Sequence, residues 1–298
     1  MPLVSICIPA YNHTHYLQRT LQSIFSQSFT DFEVIITDDS PSAIVKELVD
    51  SFQPDSRIRY YKNEVTLGSP ENWNQCISKA TGEYIKIMHH DDWFSTVDSL
   101  KLFVDAIEDF QTPFVFSNAN VVFAKSEKTG FHSPGEGNLQ KLAKSPEVLF
   151  LGNFIGAPSM TLYRKSTNLK FDKKLKWLVD VDFYISYLLK KTGFYHINEN
   201  LMTIVTDADH TVTSISYNNA ATEIFENFYL YHKLYPRLSV SEKFNFAVFL
   251  LLLIHRFKVS NIKEIRTAGY QGKIPFAFKL LLSLKKIKTS FKKLTSSS

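Results

Sequence analysis

Two pairs of adjacent acids dominate the chemistry this chain could perform. Asp91-Asp92 follows the apolar run Tyr84-Ile85-Lys86-Ile87-Met88. Neighbouring carboxylates at the end of a buried strand are costly to cluster unless something cationic compensates them. Oxygen ligands of this kind suit Mg²⁺ or Mn²⁺, which can in turn neutralise a diphosphate. The alternative is a cap on the helix that follows. Asp38-Asp39 stands at the end of an earlier apolar run, Phe32 to Ile36. A carboxylate there could accept hydrogen bonds from a base N–H or a ribose hydroxyl, or it could form an Asx turn ahead of Pro41.

The elements that must position these acids alternate regularly. Leu3 to Ile8 predicts a strand stopped by Pro9, with Ala10-Tyr11-Asn12 a loop. Thr14 then predicts a helix N-cap, and Leu17, Leu21, Ile24 and Phe25 share one apolar face. Further strands are expected at 32–36, 58–61 and 84–88, and helices at 43–52 and 70–80, the last with Pro70 in its first turn. Such alternation implies βαβ units and a largely parallel sheet covered on both faces. Ligands bind such sheets outside the carboxyl ends of the strands, where Tyr11-Asn12, Asp38-Asp39 and Asp91-Asp92 all fall. From Gln111 the pattern turns mixed. Strands are expected at 114–123, 154–163 and 195–205, a loop at 125–138, and a helix near 179–191. Beyond about residue 222 the chain reads as helical, at 223–234, 242–257 and 276–294.

Bulk composition excludes several classes. The 298 residues are 44% hydrophobic with 25 Phe and 14 Tyr, enough for a large core and unlike a disordered chain. Two cysteines, Cys7 and Cys76, cannot frame a disulfide scaffold and have no CxxC partner, so thiol-based zinc or redox chemistry is not expected and a reducing compartment is. The N-terminus lacks a basic, long-apolar leader, and no run of about 18 apolar residues occurs. The expected location is cytoplasmic, soluble or at the inner face of the plasma membrane.

The ordered combination of motifs is more specific than any one of them. Pro9-Ala10-Tyr11-Asn12, Ser23-Ile24-Phe25-Ser26-Gln27, Phe32 to Ser40, Asn63 to Gly68, Asn74, and Ala80-Thr81-Gly82-Glu83-Tyr84-Ile85 leading into His89-His90-Asp91-Asp92 resemble family-2 glycosyltransferases. The resemblance is close over about the first 125 residues and looser to about Thr213. It implies an α/β GT-A (Rossmann-like) fold, a mostly parallel central sheet flanked by helices, and inverting transfer from a nucleoside diphosphate sugar, UDP above all, with Mn²⁺ or Mg²⁺. By the same resemblance Pro9, Ala10 and Tyr11 line the base with Asn12 beside them, and Asp38 and Asp39 face the nucleotide, Asp39 holding the base. Asn74 shapes that pocket, Asp91 carries the metal, and Asp92 supports metal or sugar. His89 stands where the family most often has an acid. It can ligate Mn²⁺ but brings no negative charge, and His90 is a further candidate for the sugar-nucleotide.

Inverting transfer also needs a base for the acceptor hydroxyl. The family's Glu-Asp pair at a helix start resembles Val179-Asp180 here, so Asp180 is the expected base and Asp182 its competitor; two residues apart on a helix they point about 200° apart. Thr206 to Thr213 resembles the mobile segment that closes over the diphosphate, making His210 a phosphate or metal contact. The formal charge of +5 is concentrated at the end, where six lysines fall between 279 and 293. Read as a helix, Ala277, Leu280, Leu284, Ile287 and Phe291 oppose Lys279, Lys286 and Lys293, which suits anionic lipid. The expected organisation is a catalytic domain at 1–220, with a nucleotide-sugar half at 1–125 and an acceptor half at 126–220, then a helical extension at 221–298. The acceptor is expected to be a glycan or a lipid-linked glycan, with surface polysaccharide as the product and no nucleic-acid partner, since no aromatic-basic motif is present. Two other readings stay open: a non-catalytic glycan-assembly partner, and a nucleotidyltransferase, which would need a Gly-rich basic loop that Pro9 to His13 does not supply.

Overall fold

The structure is a computed structural model and describes residues 1–52, 55–126, 128–206, 218–275 and 278. The chain forms two compact units, Met1–Leu149 with Asn153–Ser214, and Phe150–Gly152 with Ile215–Ser298.

The first unit is built on one sheet of nine strands. In chain order it contains β1 (Val4–Ala10), α1 (Thr14–Phe25), β2 (Phe32–Asp38), α2 (Ile44–Ser51), β3 (Ile58–Lys62), α3 (Glu71–Lys79), β4 (Tyr84–Ile87), β5 (Trp93–Phe94), α4 (Ser99–Asp109), β6 (Phe114–Phe123), β7 (Thr129–His132), α5 (Glu136–Lys144), β8 (Thr161–Arg164), α6 (Val179–Lys190) and β9 (Tyr195–Thr206). The sheet order is β3-β2-β1-β4-β8-β6-β9-β5, with β7 beside β6. Every residue of β1 and β2 is buried. That is why both are near-continuous apolar runs: parallel strands covered on both faces have no solvent side to mark with polar residues. Leu17, Leu21 and Ile24 of α1 join the core of these strands, α3 packs on β1 and β2, and Leu100, Phe103, Val104 and Ile107 of α4 are the apolar stripe against the β6, β8 and β9 part of the sheet. Gly82 is needed between α3 and β4, because a Cβ there would lie 2.8 Å from the Ser5 nitrogen.

The expected parallel sheet holds for β1 to β4, which pair only in parallel with one another. The later strands are mixed. β8 runs antiparallel to both β4 and β6, β5 antiparallel to β9, and β9 parallel to β6. Several expected elements differ. Thr14 is the first residue of α1 rather than its cap; His13 holds the cap position with φ 31° after Asn12 at φ 52°. The stretch 125–138 contains β7 and the start of α5, not only a loop, because β7 is an exposed edge strand with no apolar alternation to betray it. Within 154–163 only Thr161–Arg164 is strand; Pro158–Met160 forms a short 3₁₀ turn.

The second unit is helical where described: α7 (Ala220–Leu234), α8 (Val240–Arg256) and α9 (Ile262–Thr267). Asn219, Ser239 and Asn261 cap these three helices, Ser239 in a reciprocal capping box with Glu242. Phe150 stacks on Phe246 at 4.6 Å and Phe228 packs on Tyr270 at 5.5 Å inside this unit. The helix expected at 276–294 lies outside the described residues apart from Phe278, which is buried.

Candidate active site

Strand β1 lies between β2 and β4, so the three polar strand ends are neighbours. Pro9 and Ala10 are the closing residues of β1 and both are buried. Tyr11 emerges, 46% exposed. The Asn12 amide donates to Ser40 Oγ at 2.7 Å, fixing the left-handed turn that launches α1.

The β2 pair divides its labour. Asp38 is fully buried and accepts from the Ser40 amide, the Tyr60 hydroxyl and the Lys62 ammonium, the last at 2.9 Å. Burial alone would raise its pKa, but the hydrogen bonds from Ser40, Tyr60 and Lys62 outweigh it and hold the carboxyl below its ordinary value. Its oxygens are thus held by Ser40 and by Tyr60 and Lys62 of β3. Asp39 grips the loop after β3: Asn63 Nδ2 donates at 2.6 Å and the successive amides of Leu67 and Gly68 at 3.1 and 2.7 Å. Gly68 sits at φ 73°, a conformation open to glycine. Asn72, buried beneath, accepts from Asn63 and donates to the Thr37 carbonyl.

The β4 pair is held by its backbone. The Thr20 hydroxyl of α1 lies 2.9 Å from the His90 carbonyl and 2.8 Å from that of Asp92. Ser159 donates through Oγ to Asp92 at 2.5 Å and accepts from the His89 amide at 3.0 Å. Asp92, nearly inaccessible, also accepts from the Val205 amide at 3.2 Å. Burial, and then the neighbouring Asp91 charge, push its carboxyl well above the usual range despite Ser159, Val205 and the charge of Lys86. His89 leans on Trp73, ring centroids 5.0 Å apart, with Nδ1 3.7 Å from Asp92 Oδ2. Burial keeps this imidazole neutral to lower pH than usual, with Asp91 opposing, and a neutral imidazole can ligate a metal. His90 stacks on His13 at 5.6 Å.

One ligand atom each from His89, Asp91 and Asp92 lies within 4.8 Å of the others. His89 Nε2 is buried without a hydrogen-bond partner among the described residues. A buried nitrogen left this way is costly unless something else bonds it. One neutral nitrogen and two carboxylates therefore fit a divalent cation of the Mn²⁺ or Mg²⁺ class.

Asp180 lies in the first turn of α6, partly exposed. Asn153 Nδ2 donates to its Oδ2 at 2.8 Å. Asn153 in turn brackets Gly156, whose carbonyl accepts from the Tyr184 hydroxyl. Asp182 is 2% exposed. Of the two acids, then, Asp180 is the more exposed. The segment from Asn153 to Ser159 thus bonds Asp180 at one end and Asp92 at the other. A chain of rings makes a second link: Trp73 contacts both His89 and Phe171, and Phe171 stacks at 4.2 Å on Phe183 of α6. Asn74 fixes Phe171 by a reciprocal pair of hydrogen bonds at 2.9 Å, so its amide shapes this wall rather than pointing at a ligand. His210 lies outside the described residues. Thr20, Trp73, Asn153 and Ser159 were not legible as site residues, since a lone hydroxyl, amide or ring carries no spacing signal.

Residues 5–170 match the family described as Glycosyl transferase family 2, and the chain belongs to that family. Over 94 residues, 31% of this chain and 30% of the relative, it is 34% identical to the GalNAc(5)-diNAcBac-PP-undecaprenol beta-1,3-glucosyltransferase of Campylobacter jejuni. The first three curated relatives are spanned over 63%, 70% and 30% of their lengths. The fold is that of S. aureus TarS, residues 1–349, solved with UDP-GlcNAc: TM-score 0.64 at 18% identity over 85% of this chain and 73% of that one. It is also that of the mannosyltransferase PcManGT of Pyrobaculum calidifontis, solved with GDP-Man and Mn²⁺, with TM-score 0.56 at 15% identity over 99% and 82%.

Proposed function

We propose that the chain is an inverting glycosyltransferase that moves one sugar from a UDP-sugar to a lipid-linked glycan at the cytoplasmic face of a membrane, in the assembly of a surface polysaccharide. The observation that carries this reading is the set His89, Asp91 and Asp92 at the β4 end, with the buried Nε2 of His89 still to be satisfied. Asp91 and His89 are the proposed metal ligands. Asp92 serves from beneath, since its oxygens already hold Ser159 and the Val205 amide. When bound, Mn²⁺ or Mg²⁺ supplies positive charge to a departing diphosphate. Tyr11 and Asn12 at the end of β1, with the loop that Asp39 organises, form the proposed nucleotide side, while His90 and His13 flank the diphosphate.

Asp180 is the proposed base. The acceptor oxygen forms its bond to the anomeric carbon as the proton passes to the Asp180 carboxylate. The bond from that carbon to the diphosphate oxygen breaks with its electron pair, and UDP leaves. Attack from the face opposite the leaving group gives inversion. Asn153 holds the Asp180 carboxylate in one orientation. The UDP-GlcNAc of TarS and the diphosphoundecaprenol of the Campylobacter relative support the sugar-nucleotide and acceptor classes.

Calorimetry with UDP, with and without Mn²⁺, tests the nucleotide half, and binding that ignores the metal would sink it. Asp180→Asn tests the base. UDP binding should stay within about twofold while transfer falls by roughly 10²–10⁴-fold. Undiminished transfer by that variant would move the base to Asp182 or elsewhere.

A further inference from the structure

The second unit carries a surface that the transfer reaction does not use. Helix α8 turns Phe246, Leu250, Leu253 and Ile254 inward. Its opposite side carries exposed Ser241, Asn245 and His255 but is dominated by apolar side chains. Val240, Phe244, Val248 and Leu252 are 86%, 69%, 38% and 63% exposed. Spaced four residues apart they form one stripe about 18 Å long on a single helix face. Glu242, the only acid of this helix, is bonded back to Ser239 at the N-terminus.

The charge of the unit is as uneven as its polarity. Residues 215–298 contain fourteen Lys and Arg against four Glu, a net +10 where the whole chain is +5, which leaves −5 for residues 1–214. The four acids are all engaged internally. Glu223 and Glu226 are buried, Glu223 paired with Arg256 at 3.1 Å, while Glu242 and Glu264 bond the residues at helix N-termini. Lys233, Arg237, Lys258, Lys263 and Lys273 are exposed. The six lysines from Lys279 to Lys293 lie outside the described residues but belong to the same excess.

A polyanion such as nucleic acid would use the charge and leave the stripe in water. An anionic bilayer uses both, the apolar side chains entering the interface and the cations meeting lipid phosphates. We propose that α8 is a membrane-docking helix, its Val240–Phe244–Val248–Leu252 stripe seated in an anionic lipid surface. This deepens the lipid-linked acceptor reading above and rests on it for the choice of membrane, while the apolar face comes from α8 and the positive charge from the unit as a whole.

The test is sedimentation of the full chain with vesicles of phosphatidylcholine alone, or with about a third phosphatidylglycerol. Wild type should pellet with the anionic vesicles and lose affinity as salt rises. Phe244→Asp with Leu252→Asp should weaken that binding about tenfold or more. Because both side chains are exposed, melting temperature and UDP binding should not move. Wild type that ignores anionic vesicles, or a double variant that binds them as well, overturns the proposal. So does wild type that binds duplex DNA as tightly as anionic vesicles at the same salt, or a dimer that the double variant converts to monomer. Loss of vesicle binding in the variant, with no UDP binding in wild type, would keep the docking face and discard the transferase reading instead.

Discussion

Strands β2 and β4 flank the same strand and each leads into two adjacent aspartates, but the more deeply buried member of each pair is compensated in opposite ways. Asp38 has an ammonium, a phenol and an amide on its oxygens, and its carboxyl stays below the ordinary range in spite of burial. Asp92 has one hydroxyl and one amide. The buried Lys86, whose charge bears on it, donates to the Ser159 carbonyl instead, lies 3.7 Å from the Phe103 ring centroid, and is itself disfavoured as a cation by burial. Its carboxyl is driven well up by burial and by Asp91. The β2 end is therefore electrostatically complete, a piece of scaffold. The β4 end is short of positive charge, and that shortage, more than the mere presence of acids, supports the proposal of a cation there.

The sharpest break of this contrast is Asp91→Ala. With the proposed ligand removed, transfer should fall on the order of 10³-fold or more, with the fold intact by circular dichroism. Activity within tenfold of wild type would place the metal elsewhere. Next in size is Asp38→Asn, which leaves Lys62 and Tyr60 facing an amide. It should cost about 2 kcal/mol and lower the melting temperature by roughly 4–8 °C at pH 7. Since the folded pKa of Asp38 lies below its unfolded value of about 3.9, the stability it contributes is present above that pH and lost as pH falls through the folded value. The gap between wild type and variant should hold from pH 7 to 5 and close only in stronger acid; thermal melts across that range check it. The smallest effect belongs to His89→Ala, which should weaken Mn²⁺ binding in the presence of UDP by about tenfold. His89→Asp should shift preference from Mn²⁺ toward Mg²⁺, because the nitrogen donor is the softer ligand. Unchanged titrations for both variants would remove His89 from the coordination set.

Much of the first unit was legible because its signals are local. Apolar runs such as Ile6 to Ile8 and Val34 to Ile36 can only be buried strands, and the strand ends follow from them. The helix after Asp91-Asp92 shows in the spacing of Leu100, Phe103, Val104 and Ile107, but α4 begins only at Ser99 with Asp98 in the cap position, so the acid pair does not cap it. β7 left no trace because an edge strand exposed on both faces need not alternate. In the stretch 154–163 the apolar composition suggested pairing, but Pro158 cannot continue a ladder and the chain turns first. At the site, adjacent pairs such as Asp91-Asp92 were visible, whereas their partners were not. Ser159 meets Asp92 from 67 residues away and Asn74 meets Phe171 from 97, distances at which only the fold brings residues together. The same applies to Asp38, whose partners Tyr60 and Lys62 on β3 lie 22 and 24 residues away.

The clamp on the β4 loop has a consequence for change. Thr20 and Ser159 hold the loop at the carbonyls of His90 and Asp92 and at the amide of His89, all main-chain atoms that every residue possesses. The side chains at 89 and 90 are thus spared the work of shaping the loop. Different residues can be tried in the same socket without the socket having to be rebuilt. The histidine at 89, where the sequence resemblance implies an acid, is what such a socket permits, and positions 89 and 90 are the natural starting point for probing the proposed metal and sugar contacts.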